Sequence, residues 1–239
     1  MSEDWVSENI FCPCCGHLHL SHQRNNTPVG DFLCENCCEE FELKSKRGVL
    51  GAKIVDGAYS TMINRITSLT NPNLLVLNYT NELSVKGILF IPKFFFVPGI
   101  IEKRKPLSAN ARRANWVGCN ILIKDIPKQG IIPIIEYQQE RNHLDILKDY
   151  NVVKSLQTAN IENRGWLFDV LNFVNFINQE IFTLRDVYEY APQLQTKHPD
   201  NHNIEAKIRQ QLQILRDKGL IEFLGNGIYQ KITHNIFEF

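Results

Sequence analysis

The sequence carries no net charge. Its 26 Lys and Arg balance 26 Asp and Glu over 239 residues. No global positive field therefore draws a polyanionic partner, and any nucleic-acid role must rest on local patches. Long hydrophobic runs are missing too. The most apolar stretch, Ile88 to Ile101, is broken by Lys93 and two prolines and is too short to span a bilayer. The opening MSEDWVSENI is acidic and polar, unlike a secretory signal or a transit peptide. These absences point to a soluble cytoplasmic protein with no membrane partner. There is no internal repeat and no low-complexity tract. Apolar residues are not scarce: they make up 44% and aromatics 10%, which excludes wholesale disorder. The length allows one large domain or two small ones.

Six of the seven cysteines fall between Cys12 and Cys38. A cytoplasmic chain does not rely on disulfides, so clustered thiols there point to a metal. Cys12-x2-Cys15 and Cys34-x2-Cys37, eighteen residues apart, have the spacing of a zinc ribbon, and Pro13 and Gly16 suit a tight knuckle turn. Cys14 and Cys38 leave the register open, and His17, His19 and His22 are also in reach. A closed four-sulfur site has no open position for water and is structural.

The hydrophobic period changes near residue 160. Before it, strand-length apolar runs stand at Phe41–Lys44, Leu74–Leu77, Val85–Ile91, Ile121–Ile123 and Ile131–Ile135. Between the first two, Ala58, Met62, Ile66 and Leu69 predict a helix over Asp56–Leu69. That order predicts a mixed sheet with at least one packed helix. After it, Trp166, Val170, Val174 and Ile177 mark one helix face, and a second helix starts at Leu184 behind a Thr183 N-cap. TKHPDNHN breaks the pattern. A third helix with Ile204, Ile208, Leu212 and Leu215 follows and is stopped by Gly219. Strands Leu220–Leu224 and Ile228–Ile232 flank Gly225-Asn226-Gly227, a hairpin signal. Three helices and a hairpin outline a winged helix-turn-helix. The expected organisation is α+β, with domains at 1–160 and 161–239.

Asp31 precedes Glu42-Leu43-Lys44 by eleven residues. On a strand Glu42 and Lys44 share a face while Leu43 points to the core. Asp31 from a neighbouring strand, Glu42 and the Leu43 carbonyl are hard oxygen donors suited to magnesium. Lys44 is then placed to assist a metal-bound water and to neutralise charge on a phosphate. The spacing alone is a weak signal, because charged strand faces are usually just solvated.

Lys103 to Arg113 holds five positive side chains (Lys103, Arg104, Lys105, Arg112 and Arg113) and no acid, directly before Trp116. That pattern suits a phosphate grip leading to a base-reading aromatic. On the third helix, His202, Asn203, Ala206, Arg209, Gln210 and Gln213 lie away from the apolar stripe, and Gln or Asn pairs bidentately with adenine. Residues 161–239 nevertheless hold eight Lys or Arg against ten Asp or Glu, which leaves protein docking open for this domain.

Cys12-Pro-Cys-Cys-Gly, Asp31-Phe-Leu-Cys, EEFELKSK (Glu39–Lys46), DGAY (Asp56–Tyr59), RKPL (Arg104–Leu107), ARRANWVGCNI (Ala111–Ile121), RGW (Arg164–Trp166) and IRQQLQILRDK (Ile208–Lys218) together resemble the DpnI and Dam-replacing restriction endonucleases. The resemblance runs from about Trp5 to Ile232. It implies a methyl-directed type II enzyme that cleaves G-A-T-C in duplex DNA when the adenine carries an N6 methyl group. It also implies a PD-(D/E)xK nuclease domain with a zinc site, followed by a winged helix, and a monomer. By position, Asp31, Glu42 and Lys44 are the implied catalytic set, and Cys12, Cys15, Cys34 and Cys37 the zinc ligands. Trp116 is the aromatic set against the methylated base. Gly30 replaces the proline of the motif's name. Two other readings use the same features: a regulator that binds DNA without cutting it, and a nuclease for another modification or for repair.

Overall fold

The computed structural model describes residues 2–23, 30–68, 70–158 and 160–232. Its core is a seven-stranded mixed sheet. The strands are β1 (Ser21–His22), β2 (Phe32–Leu33), β3 (Glu40–Arg47), β5 (Asn73–Tyr79), β6 (Val85–Ile91), β9 (Ile132–Glu136) and β10 (Gln139–Glu140), neighbours in that order. Only β3 and β5 run parallel, with Glu42 beside Leu74 and Lys44 beside Val76. β5 reads NLLVLNY and is buried almost throughout, as a central strand covered on both faces must be.

The β3–β5 crossover carries β4 (Lys53–Ala58) and α2 (Tyr59–Ser68). β4 joins β8 (Gly118–Leu122) and β7 (Ile101–Lys103) in a separate antiparallel sheet, order β4-β8-β7. α1 (Ser2–Asn9) stands ahead of the cysteines, and α3 (His143–Lys154) packs on β9. Phe41, Phe90 and Tyr150 stack in tilted contacts of 6.1 and 5.6 Å from β3 through β6 to α3.

The second half comprises α4 (Ile161–Phe176), α5 (Leu184–Tyr188), α6 (Ala191–Lys197) and α7 (Ile204–Asp217). A small sheet of β11 (Ile181–Thr183), β12 (Ile221–Gly225) and β13 (Ile228–Lys231), order β11-β13-β12, completes it. Thr183 caps α5 in a reciprocal capping box with Asp186. Gly219, at φ +72°, ends α7 in the left-handed conformation that glycine adopts without penalty. α4 is apolar on most of its circumference because it packs on both halves. Phe168 stacks on Phe95 at 4.6 Å, and Asn172 donates to the Asp125 carbonyl at 2.7 Å.

The structure corrects several boundaries. Residues 56–58 of the expected helix are strand, and α2 begins only at Tyr59. Leu69, its expected last member, lies outside the described residues. Ile123 turns out of β8 into a short 3-10 segment. The helix expected from Leu184 is two, because the backbone breaks at Tyr190 and Pro192 restarts it in the first turn of α6. The mixed α+β architecture is as expected.

Candidate active site

Two clusters of chemically active side chains occupy the end of the large sheet where β2 meets β3. In the first, the four sulfurs of Cys12, Cys15, Cys34 and Cys37 lie within 4.8 Å of one another. Cys12 and Cys37 are 3.6 Å apart, as are Cys15 and Cys34. Zinc–sulfur bonds of about 2.3 Å in a tetrahedron give edges of about 3.8 Å, so the group fits zinc. Each pair sits in the same turn: Gly16 N–H donates to the Cys12 carbonyl and Cys38 N–H to the Cys34 carbonyl, both at 2.8 Å. Gly16 and Cys38 are both left-handed, at φ +81° and +57°. Cys38 is therefore the counterpart of Gly16 in the second turn, and its side chain is exposed, outside the sulfur group. Cys14 also lies outside it. His17 and His19 point to solvent, and His22 lies over the Phe32 ring. Burial pushes the Cys37 thiol up. Burial also opposes ionisation of Cys15, but hydrogen bonds from Asn36 and the His17 backbone outweigh it and bring that thiol down to about 7.

The second cluster is made of oxygens and one ammonium. Asp31, just before β2, accepts the Leu43 N–H on Oδ2 at 2.6 Å. Its own N–H donates to the Phe41 carbonyl at 2.8 Å, which locks Asp31 against β3. Glu42 and Lys44 share a face of β3, with Lys44 Nζ 2.5 Å from Glu42 Oε1. Leu43 packs on the core from the opposite face. Burial raises the Glu42 carboxyl above its ordinary range; Lys44 opposes the shift, and Asp56 and Asp31 add to it. Burial works against the Lys44 charge, but Glu42 and Asp56 overcome it and raise the ammonium to about 12. Lys44 is thus a fixed positive charge rather than a free base at neutral pH.

Sequence reasoning missed Asp56. Its Oδ1 lies 2.7 Å from Lys44 Nζ, and its side chain is only 5% exposed. The helical period expected over Asp56–Leu69 masks the strand that holds this residue. Strand alternation over Lys53–Ala58 was the available signal.

The basic residues form a hairpin on the small sheet. Arg104 N–H donates to the Gly118 carbonyl and Leu107 N–H to the Trp116 carbonyl, continuing the β7–β8 pairing outward. Lys103, Arg104, Lys105, Arg112 and Arg113 are all exposed. Trp116 is half-buried and lies across Gly118, where an added Cβ would come within 2.7 Å of the indole. Lys103 pairs across Cys119 with Asp56, so one row of the small sheet runs from the base of the basic hairpin to the carboxylate beside Lys44. His202, Asn203, Ala206, Arg209, Gln210 and Gln213 stand apart, at or before α7 in the second half, and all are exposed. Arg209 hydrogen-bonds the Tyr188 hydroxyl, which orients it along the groove between α6 and α7. Among the described residues no helix is long and apolar enough to cross a membrane.

Residues 1–159 match the DpnI, Dam-replacing family, and residues 162–231 match the Dam-replacing HTH domain. With two thirds of its length in the first match and most of the remainder in the second, this chain belongs to the DpnI, Dam-replacing family of nucleases that carry a DNA-binding helix-turn-helix domain.

Proposed function

We propose that the chain is a magnesium-dependent type II restriction endonuclease that hydrolyses duplex DNA at G-(N6-methyl-A)-T-C and leaves 5′-phosphate ends. It acts as a cytoplasmic monomer, with residues 1–160 as a PD-(D/E)xK nuclease domain and 161–239 as a winged-helix DNA-binding domain. The observation that carries this reading is the meeting of Asp31, Glu42 and Lys44 at one end of β3, locked by the Leu43 N–H to Asp31 contact of 2.6 Å.

Asp31, Glu42 and the Leu43 carbonyl would hold the magnesium. The free oxygen of Asp31 and the partly exposed Glu42 carboxylate make this a hard-oxygen environment, as magnesium requires. Bound there, the cation would lower the pKa of a coordinated water and offset phosphate charge. Lys44, held protonated, neutralises charge that develops on the phosphate during in-line attack. The exposed hairpin of Lys103, Arg104, Lys105, Arg112 and Arg113 grips phosphates, and Trp116 supplies the wall for the N6 methyl group. His202, Asn203, Ala206, Arg209, Gln210 and Gln213 read the site a second time from α7. Zinc on Cys12, Cys15, Cys34 and Cys37 would cross-link the loop that carries Asp31 to β3.

The test is a panel of otherwise identical G-A-T-C duplexes with no methyl group, one or two N6-methyladenines, or a methylcytosine. Cleavage confined to N6-methyladenine duplexes is expected. Equal cleavage of all would keep a nuclease and remove methyl direction. Binding without cleavage of any would replace the enzyme by a regulator.

A further inference from the structure

Asp56 is a buried carboxylate without a role in the site as assigned so far. Oδ1 takes two donors, Lys44 Nζ and the Gly57 N–H, each at 2.7 Å. Oδ2 is fully buried and has no hydrogen-bond partner. A buried carboxylate oxygen left idle costs free energy, and such a group calls for a functional reason. Its backbone is placed by the pairing of β4 with β8 at Asp56 and Cys119, at the edge of a register shift before Ala58. The side chains grade outward, from 5% exposed for Asp56 to 23% for Glu42 and 26% for Lys44. Asp56 therefore lies beneath the ammonium, while Glu42 and Lys44 face the side from which a phosphate arrives.

We infer that Asp56 is a positioning residue: its carboxylate holds the Lys44 ammonium in place from below, leaving Glu42 free for the metal and the third ammonium proton free for the scissile phosphate. The two carboxylates engage two of the three ammonium protons. A cation held by Glu42 would weaken its pull on Lys44, and Asp56 is the anchor that remains. The row from Asp56 through Cys119 to Lys103 ties this anchor to the base of the basic hairpin, so seating DNA and seating the lysine use one sheet.

The inference rests on the nuclease reading for its consequence but not for its first test. With zinc-loaded full-length protein and no DNA or magnesium, the Lys44 ammonium is followed by 15N NMR, its resonance assigned through Lys44→Ala. A slowly exchanging signal is expected in the unaltered protein and in Glu42→Gln, and its loss in Asp56→Asn. Loss in Glu42→Gln would overturn the inference without use of any Asp56 variant. Asp56→Asn should also lower the single-turnover cleavage rate about 10- to 100-fold. DNA affinity without magnesium, the magnesium half-saturation point and the melting temperature should hold. In the Lys44→Ala background the second change should cost nothing more. An unchanged rate would overturn the inference. So would a rate restored at high magnesium, which would make Asp56 a ligand. If the unaltered protein cuts no DNA, the nuclease reading falls while the ammonium result still stands or fails alone.

Discussion

The cysteine and carboxylate groups are interleaved in the chain, since Cys34 and Cys37 lie between Asp31 and Glu42, yet they are built differently. The cysteine group is closed and nearly symmetric. Two local turns of the same geometry face each other, and each supplies two sulfurs. The carboxylate group is open and assembled from three separate segments: Asp31 before β2, Glu42 and Lys44 on β3, and Asp56 on the strand of another sheet. Its buried Asp56 oxygen has no partner, and its Glu42 carboxyl is held above the usual range. A cluster whose donors all converge completes a fold once metal binds. One with idle donors has capacity left for a ligand that arrives later. The two are joined by the chain, because the Cys34–Cys37 turn lies in the loop between Asp31 and Leu43, which the 2.6 Å bond holds together.

Breaking the closed cluster should have the largest effect. Structural zinc sites contribute about 10–16 kcal/mol of apparent binding free energy, comparable to the whole stability of a domain. Chelation, or Cys34→Ser, should unfold the N-terminal half and abolish cleavage, seen as a large loss of far-UV circular dichroism. A spectrum unmoved by chelator would contradict the structural role of the metal. Breaking the open cluster should cost activity and spare the fold. Lys44→Ala and Glu42→Gln are each expected to reduce cleavage at least about 100-fold while leaving DNA binding in place. Glu42→Gln should also change the pH dependence of stability. Burial raises the folded-state pKa of Glu42, so its contribution is present at low pH and is lost as pH rises through that raised value. Without metal, the glutamine variant should lose less stability than the parent as pH climbs past the usual glutamate range, measured by denaturant melts.

Two smaller changes sharpen the comparison. Gly118→Ala places a methyl group where the Trp116 indole lies, and should weaken discrimination for methylated adenine with little change in melting temperature. The two knuckle turns offer a matched pair. Cys38→Gly relieves a left-handed non-glycine residue and should stabilise the protein by up to about 1 kcal/mol. Gly16→Ala imposes that strain and crowds Leu147, and should destabilise by about 1–2 kcal/mol.

What could be read from the sequence follows how local each feature is. The cysteine turns depend on residues within five positions, so spacing alone exposed them. The roles of Cys14 and Cys38 did not show, because a left-handed backbone is a property of the folded turn. β6 matches its apolar run residue for residue, and the Thr183 cap marks the start of α5. α3 is not legible in the sequence although Asn142 caps it through the Leu144 N–H at 2.8 Å, because its mixed pattern HLDILKDYNVVK gives a weak apolar stripe. β11 is three residues long and is strand only because β13 pairs with it. Asp56 was misplaced for a tertiary reason. The helix period of Met62 and Ile66 extends backward in the pattern to Ala58 and across Gly57, while the pairing of β4 with β8 joins Asp56 to Cys119, more than sixty residues away.

The most direct measurement is cleavage of one plasmid, prepared with and without adenine methylation at G-A-T-C, by zinc-loaded protein in magnesium, with Glu42→Gln as control. Cutting of the methylated plasmid alone, lost in the control, is the predicted result. Methylated plasmid left intact by a folded, DNA-binding protein would contradict the assignment of Asp31, Glu42 and Lys44 as a nuclease centre.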